Sequence, residues 1–306
     1  MYYPILKAKR HELSSVVELS SAIKPVNFRP VLEPVNGGLA PLIKTIEKLY
    51  SNLVIPLVVI NPSQGDFSKV SSAGLYSDLQ SDSRSANKFL PCVKIKDATD
   101  IVSLSLLLIY PSAAVYLESN ISSSSLGQIS KAPLVLLNSQ KNDPAIVSAI
   151  GSVVVYSDSF AKRKRNADYG QVSYYSGAHT SYHQAANVIG FGDFTIMGEE
   201  YTGSGGPAYV VAIHASYIES NGNNTMYVRH FCSSSDSEIT ANTPGKYKEA
   251  LKELIMFDKA NPGVFDKTLG MSEFYDSYST NHFPGLGLVK EMSIKHHIET
   301  ICNFIA

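Results

Sequence analysis

Eight short apolar segments recur along the chain up to Asp193, and each ends at a polar residue. They run from YYPIL, which precedes Lys7, to VIGFG, which precedes Asp193. Segments rich in Val, Ile and Leu without strict alternation are typical of strands buried on both faces, as in parallel sheets. Segments with helical spacing lie between them; LAPLIKTIEKLY, for example, places Leu42 and Ile46 on one face. This alternation indicates an α/β fold.

Eight strand–helix units predict a closed barrel of the (β/α)8, TIM-barrel type. An open doubly wound sheet is the alternative, but no GxGxxG sequence follows the first strand. We predict a barrel core over residues 1–200, a cap over residues 201–283 and a closing helix over residues 284–306 packed on the barrel. The cap would hold a β-hairpin around the NGNN turn at residues 221–224 and cover the barrel mouth. A separately folding second domain is the competing interpretation.

Composition restricts the functional classes. The 306 residues have a net charge of −1, which argues against wholesale binding of nucleic acid or anionic membranes. Three cysteines, far apart in sequence, show neither metal-ligand nor disulfide spacing, so a reducing cytoplasm is expected. The N-terminus does not have the pattern of a signal peptide. The apolar stretch at residues 101–117 contains Pro111 and is shorter than a membrane span, so no membrane segment is predicted.

Polar residues at the predicted strand ends would surround one mouth of the barrel. Carboxylates there suit acid–base chemistry and lysines suit the binding of an anion. On this basis the catalytic candidates are Glu33, Glu118 and Asp193, and the ligand-binding candidates are Lys7, Lys94, Asn138 and Asp158. The alternative for each position is simpler, because strands end in loops and loops are polar.

A run of four cations, KRKR at residues 162–165, follows the seventh predicted strand. Many barrels bind phosphate near this position, so Arg163 is a candidate anion ligand. A solvated surface run is the alternative, and contact with nucleic acid or an acidic partner is a third possibility.

The histidines offer further candidates. His214 and His230 fall on the two strands of the predicted hairpin, could face each other, and are added to the catalytic set; a structural role is the alternative. His179 and His183 stand four apart and could share a helix face, but Thr180 stands where the HExxH pattern has its glutamate, so no metal is predicted. His296 and His297 are expected on a helix, one of them facing solvent.

Several longer stretches are distinctive as a set: YYPILKAKRHE, RPVLEPV, KRNADYG, GFGDFTIMGEEYTGSGGPAYVVAIH, MYVRHFCSSS, TPGKYKEAL and FPGLGLVKEMSIKHHIE. Together they resemble an uncharacterised bacterial family, the "sce" seventy-seven-twenty-five proteins, which is distantly similar to the beta family proteins. The resemblance implies a barrel-like fold and a small partner similar to PD-(D/E)XK nucleases in defence-associated regions. It also marks positions to examine: Lys9, Glu12, Glu33, Asp168, Tyr169, Asp193, Gly205, Gly206, His214, Arg229, His230 and Lys246.

Two functions of different class follow. In the first, the barrel is a partner protein of a defence-associated or toxin–antitoxin-like pair, works with the nuclease-like protein and binds an anionic ligand at its mouth, with Lys9, Asp168 and Arg229 among the ligand-binding residues. In the second, it is a hydrolase or lyase acting on a phosphorylated small molecule or nucleotide. Fold alone does not decide between them, and no nucleophile motif or cofactor motif is present.

Overall fold

The computed structural model describes residues 1–203, 208–220, 222–235 and 238–306. Eight parallel strands close into a barrel, and three further strands form a separate antiparallel sheet. The predicted barrel with additional C-terminal hairpin and helices is therefore confirmed. Among the described residues, no helix is both long and apolar enough to cross a membrane.

The barrel strands follow one another around the barrel in chain order. They are Tyr2–Leu6 (β1), Val31–Leu32 (β2), Leu57–Val59 (β3), Leu90–Ile95 (β4), Ala114–Leu117 (β5), Val135–Asn138 (β6), Val153–Ser157 (β7) and, after one strand that belongs to the other sheet, Val188–Asp193 (β9). Strand β9 pairs with both β7 and β1, which closes the barrel. Nearly every residue in these strands is buried, as the unalternating apolar sequences indicated.

Helices follow most of the barrel strands and are short. They are Arg10–Leu19 (α1), Ala40–Ser51 (α2), Leu75–Ser81 (α3), Ile101–Ile109 (α4), Ser123–Ile129 (α5) and, before β9, Ala178–Ser181 (α6). The side chain of Asp100 accepts a hydrogen bond from the N–H of Ser103 and begins α4. Asp143 begins only a 3₁₀ helix at Pro144–Ala149, where the sequence pattern predicted an α-helix.

The antiparallel sheet consists of three strands in the order Ala212–Ile218 (β10), Met226–Cys232 (β11) and Val172–Ser176 (β8). Strands β10 and β11 pair as the predicted hairpin, with His214 opposite His230. One residue of the predicted turn, Asn221, lies outside the described residues. Strand β8 pairs with β11, and the sequence did not predict it.

The chain divides into two compact units. The first contains Met1–Asp158 and Ala178–Phe194, and the second contains Ser159–Gly177 and Thr195–Ala306. The second unit therefore includes residues 159–177, which lie within the range predicted as barrel core. It also includes helices Thr243–Ala260 (α7), Leu269–Ser279 (α8) and Leu286–Phe304 (α9), so the predicted closing helix belongs to this unit, where it packs on α8 and β10.

Candidate functional site

The carboxyl ends of all eight barrel strands lie at one end of the barrel, because every pair of neighbours is parallel. The polar residues predicted at the strand ends are therefore brought to the same mouth. They are Lys7, Glu33, Asn61, Lys94, Glu118, Asn138, Asp158 and Asp193.

Four of these residues form one chain of ion pairs. The Nζ atom of Lys7 lies 2.7 Å from one carboxylate oxygen of Glu33. The Nζ atom of Lys94 lies 2.9 Å from the other oxygen of Glu33 and 2.8 Å from Glu118. Glu33 is completely buried and both lysines are buried, whereas 22% of the Glu118 side chain is exposed. Glu118 is thus the solvent-side member of the chain, which we term the mouth charge network.

The network keeps Glu33 and Lys94 ionised. Burial by itself raises the pKa of Glu33, but the positive charges of Lys94 and Lys7 outweigh it, and the pKa of this carboxyl stays below its usual value. Burial likewise lowers the pKa of Lys94, but Glu33 and Glu118 outweigh it and the pKa is raised. A carboxylate held in this state is a poor general acid at neutral pH, which argues against the predicted catalytic role of Glu33.

Two aromatic rings lie close to the lysines of the network. Lys94 Nζ is 5.2 Å from the centre of the Tyr116 ring, and Lys7 Nζ is 5.9 Å from that of Phe194. Both rings belong to the apolar cluster that fills the barrel. The ammonium groups therefore gain cation–π attraction from the apolar cluster on their inner side.

Asp193 is held by a different partner. Its carboxylate accepts a hydrogen bond of 2.6 Å from the hydroxyl of Tyr2, on the neighbouring strand β1. Close approach of these strands depends on the glycines of β9, because a Cβ atom on Gly190 would lie 2.6 Å from the carbonyl oxygen of Met1. This explains the VIGFGD sequence of the last barrel strand.

The amides at the mouth have separate roles. Asn61 pairs with the main chain of Lys94 through two hydrogen bonds of 2.8 Å, so its role is structural. Asn138 is fully buried and accepts a hydrogen bond from the N–H of Gln140. Among the described residues, its Nδ2 donor has no partner. The main-chain N–H of Asp158 donates to the side chain of Gln140, which joins the ends of β6 and β7.

Glu12 is a buried carboxyl at the mouth that the catalytic set missed. It lies in the first turn of α1, and its carboxylate accepts a hydrogen bond of 3.3 Å from the N–H of Lys9, the N-cap residue of this helix. Burial raises the pKa of Glu12, and the Lys9 N–H and the charges of Lys9 and Lys7 oppose that shift without cancelling it. The S/T-x-x-E capping pattern would have found it, had a serine or threonine stood in place of Lys9.

A cavity of about 150 Å³ lies beside the network, between the loop after β1 and the loop after β2. Leu13, Val35 and Leu42 provide apolar walls, and Arg10 provides a cation. The first turns of α1 and α2 border the cavity, and neither helix has a side-chain hydrogen bond from its N-cap residue. Main-chain N–H groups at such helix starts attract anions.

The second unit contains a hydrogen-bonded histidine pair. The Nδ1 atoms of His214 and His230 lie 2.8 Å apart, and Nε2 of His230 lies 2.9 Å from Oγ of Ser173 on β8. The Tyr169 ring stacks on His230 at 4.5 Å. Burial lowers the pKa of His214 to about 3, with smaller effects of His230 and Lys290, and lowers that of His230 to about 4, with a smaller effect of Arg163.

This geometry has the order serine, histidine, orienting group that activates a nucleophile. A histidine whose pKa is about 4 is nevertheless a weak base at neutral pH. The chain of hydrogen bonds links all three strands of the sheet and satisfies buried polar atoms. A structural role therefore accounts for it more completely than the predicted catalytic one.

Two of the four cations in the basic run at residues 162–165 form ion pairs with carboxylates. Lys162 pairs with Glu200 at 3.2 Å, and Arg165 pairs with Asp168 at 2.6 Å. Asp168, predicted as ligand-binding, is thus engaged within its own loop. Within the described part of the chain, Arg163 and Lys164 have no acidic partner within 4.0 Å, so they are the cations available to a ligand.

Two further basic positions have packing roles. The guanidinium of Arg229 lies 3.8 Å from the centre of the Phe257 ring, which suits a cation–π contact on the hairpin. Lys246 is fully buried, and its Nζ donates to the carbonyl oxygens of Ile239 and Ala208. Gly205 and Gly206 lie outside the described residues.

Two histidine predictions are wrong. His179 lies in the four-residue helix α6 and His183 in the 3₁₀ helix that follows, so they do not share the face of one continuous helix. His296 and His297 are both fully buried in α9, because β10 and α8 pack against this helix. His296 contacts Thr268 and the carbonyl oxygen of Ser216, and His297 contacts the hydroxyl of Ser216.

Among the described residues, no group of three His, Cys, Asp or Glu side chains is arranged to hold a metal ion.

The fold and the ion pairs at the mouth define the class of protein as a (β/α)8-type barrel with a charged carboxyl-terminal mouth. Comparison with protein-family models, with curated proteins and with solved structures finds no match to this chain.

Proposed function

We propose that the barrel binds a small anionic ligand at its carboxyl-terminal mouth. The observation that carries this proposal is the cavity between the first turns of α1 and α2, which is lined by Arg10. Its volume, about 150 Å³, suits a phosphate or carboxylate group rather than a whole nucleotide. The first turns of both helices border the cavity, so the positive ends of the two helix dipoles lie beside it, and the apolar walls strengthen electrostatic attraction.

The mouth lysines have a supporting role in this proposal. Lys7 and Lys94 are already bound to Glu33, so an anion that took either of them would deprive that buried carboxylate of one of its two cations. The ligand therefore enters beside the network rather than through it. The Nδ2 atom of Asn138, which has no partner among the described residues, does not line this cavity and is a donor that a buried water molecule could satisfy.

We further propose that this binding protein acts in a bacterial defence-associated or toxin–antitoxin-like pair with a PD-(D/E)XK nuclease-like partner. The resemblance of the distinctive stretches supports this half of the proposal. Arg163 and Lys164 are the exposed cations that an acidic partner surface or a nucleic acid would contact. Co-expression with the neighbouring gene product and joint purification test it; a partner that never co-purifies contradicts it.

Calorimetric titration with inorganic phosphate tests the ligand site. Arg10→Gln should weaken phosphate binding at least tenfold, since a charge-assisted hydrogen bond contributes about 1.5–3 kcal/mol. Lys44→Gln is the matched control, because Lys44 is an exposed cation on α2 that does not line the cavity. Equal binding by both variants, or no binding by the unaltered protein, contradicts the proposal.

A hydrolase or lyase remains a second candidate because of one observation. Two carboxyl groups at this mouth have pKa values shifted in opposite directions, upward for Glu12 and downward for Glu33. Opposite shifts are the pattern by which one carboxyl acts as acid while another stays ionised. If the protein is an enzyme, Glu12→Gln should abolish turnover of a phosphorylated substrate and leave phosphate binding intact.

A further inference from the structure

The cavity beside the mouth charge network has walls that are mostly apolar. Its volume is about 150 Å³, and Arg10 and Asn36 contribute its polar side chains. The apolar residues that line it are Ala8, Leu13, Pro34, Val35, Pro41 and Leu42. An apolar cavity of about 150 Å³ accommodates a benzene ring. There is therefore room for a compact apolar body as well as for a charged group at Arg10.

Arg10 supplies the cavity with one positive charge. Among the described residues, no other charged side chain lines the cavity, and the Arg10 guanidinium forms no ion pair with a carboxylate. Glu12, in the first turn of the same helix, does not line the cavity. A guanidinium presents a planar fork that matches the two oxygens of a carboxylate. It balances a single negative charge, whereas a phosphate monoester carries about 1.5 to 2. The charge of the cavity therefore suits a monocarboxylate.

The two helix starts at the cavity differ in chemistry. Arg10 is the first residue of α1 and brings its cation to this side. Pro41 is the second residue of α2 and has no main-chain N–H, so the first turn of α2 has one donor fewer. Pro41 and Leu42 instead contribute apolar wall. The start of α1 thus favours the anionic group of a ligand, and the start of α2 favours an apolar body.

The chain holds the shape of the cavity through its own contacts. Ala8 has a φ of 51°, in the left-handed region that residues other than glycine seldom adopt. With this turn, Lys7 stays in the mouth charge network while Ala8 and Arg10 line the cavity. On the loop after β2, the carbonyl oxygen of Val35 accepts a hydrogen bond of 2.9 Å from the N–H of Asp66. A site formed in advance costs little ordering when a ligand binds.

We propose that this cavity binds a small monocarboxylate with a compact apolar body, with the carboxylate at Arg10 and the body against Val35 and Leu42. The inference rests on the proposed anion site and narrows its ligand to one chemical class. Inorganic phosphate binds the same site more weakly, because it leaves the apolar walls in contact with water.

Calorimetric titration with four small compounds separates the charge of the ligand from its apolar body. Benzoate has both features, acetate has the carboxylate with almost no body, benzamide has the body without the charge, and inorganic phosphate is an anion without an apolar body. Benzoate should bind at least tenfold more tightly than acetate, because its ring is removed from water. It should also bind at least tenfold more tightly than benzamide, because its hydrogen bonds to Arg10 are charge-assisted.

Two variants assign each feature to a residue. Arg10→Gln should weaken benzoate binding at least tenfold and leave benzamide binding unchanged; Arg10 is exposed, so this variant should fold. Leu42→Ala should weaken benzoate binding at least fivefold and leave acetate binding unchanged. Leu49→Ala is the matched control, because Leu49 is a fully buried leucine of α2 that does not line the cavity.

The outcomes distinguish this inference from the proposed anion site. Phosphate binding together with benzoate no tighter than acetate overturns the inference and leaves the anion site standing. Failure of phosphate, acetate and benzoate alike to bind overturns both. Benzamide that binds as tightly as benzoate overturns the role of Arg10. Equal loss of benzoate binding in Leu42→Ala and Leu49→Ala overturns the placement of the apolar body.

Discussion

The barrel mouth and the hairpin sheet bury titratable side chains in opposite ways. At the mouth, Glu33 is fully buried yet remains ionised, because Lys7 and Lys94 lie within 2.9 Å of its oxygens. In the hairpin sheet, His230 is buried and His214 is half-buried beside it, and both are held neutral, with pKa values of about 3 for His214 and about 4 for His230. Burial alone would drive both regions toward neutrality.

The two regions differ because their buried titratable groups have different partners. A carboxylate and two ammonium groups compensate one another, so each gains from the charge of its neighbour. Two imidazoles offer each other only a hydrogen bond, and none of the carboxylates that the structure describes pairs with a proton on either one. Charged groups at the mouth are thus fixed in place, whereas the histidine pair tolerates burial only while it stays uncharged.

Removal of the central carboxylate should have the largest effect. Glu33→Gln leaves buried Lys7 without its carboxylate partner and leaves Lys94 with Glu118 alone, and it should cost about 3–5 kcal/mol in the free energy of unfolding. Glu118→Gln alters the solvent-side member and should cost about 1 kcal/mol or less. Urea denaturation of both variants measures the difference; equal losses would mean that burial does not distinguish the two carboxylates.

Acid should destabilise the two regions in different pH windows. The pKa of His214 and of His230 is lowered in the folded protein. Below pH 6.5, the ordinary pKa of histidine, the unfolded chain therefore binds more protons than the folded one. Their contribution to stability is complete above pH 6.5 and falls as the pH drops toward 4. The pKa of Glu33 is also lowered in the folded protein, from an ordinary value of 4.5. Its ion pairs therefore contribute fully to stability above pH 4.5, and that contribution is lost only as the pH falls below 4.5.

Hydrogen exchange measured by mass spectrometry between pH 6.5 and 4.5, corrected for intrinsic rates, tests this contrast. Protection should fall in peptides from β10 and β11 while peptides from β2 and β4 keep theirs. The double variant His214→Gln, His230→Gln should show a shallower pH dependence. Parallel loss of protection in both regions would contradict the assigned protonation states.

The exposed ion pair of the basic run should have the smallest effect. Arg165→Gln breaks the pair with Asp168, but the Arg165 side chain is 75% exposed. Such pairs contribute about 1 kcal/mol or less. Thermal unfolding should change little, whereas Arg163→Glu with Lys164→Glu should weaken capture of an acidic partner, most clearly at low salt. Salt-independent capture would identify the run as a solvated surface.

The mouth could be predicted from sequence because parallel strands bring their ends together. Apolar segments located the eight strands, and the residues after them, such as Lys7 and Glu33, located the mouth. The pairing of Lys94 with two carboxylates could not be predicted, since side-chain reach across neighbouring strands depends on barrel geometry. The paired state also argues against the acid–base role that the residue type of Glu33 suggested.

The second unit was harder to predict. Strand β8 has the polar sequence VSYYS, and its partner β11 begins 50 residues after the end of β8. No local pattern reports such a pairing. His296 and His297 are adjacent, so a helix packed on one face would expose one of them; α9 is packed on more than one side, and sequence periodicity does not show this.

A crystal structure of the protein with phosphate bound tests the account most directly. The predicted result is an anion in the cavity beside Arg10 and the first turns of α1 and α2, with Lys94 still bound to Glu33 and Glu118. Phosphate lodged between Lys7 and Lys94, with Glu118 displaced, would contradict the account, because the mouth charge network would then be the ligand site rather than its fixed support.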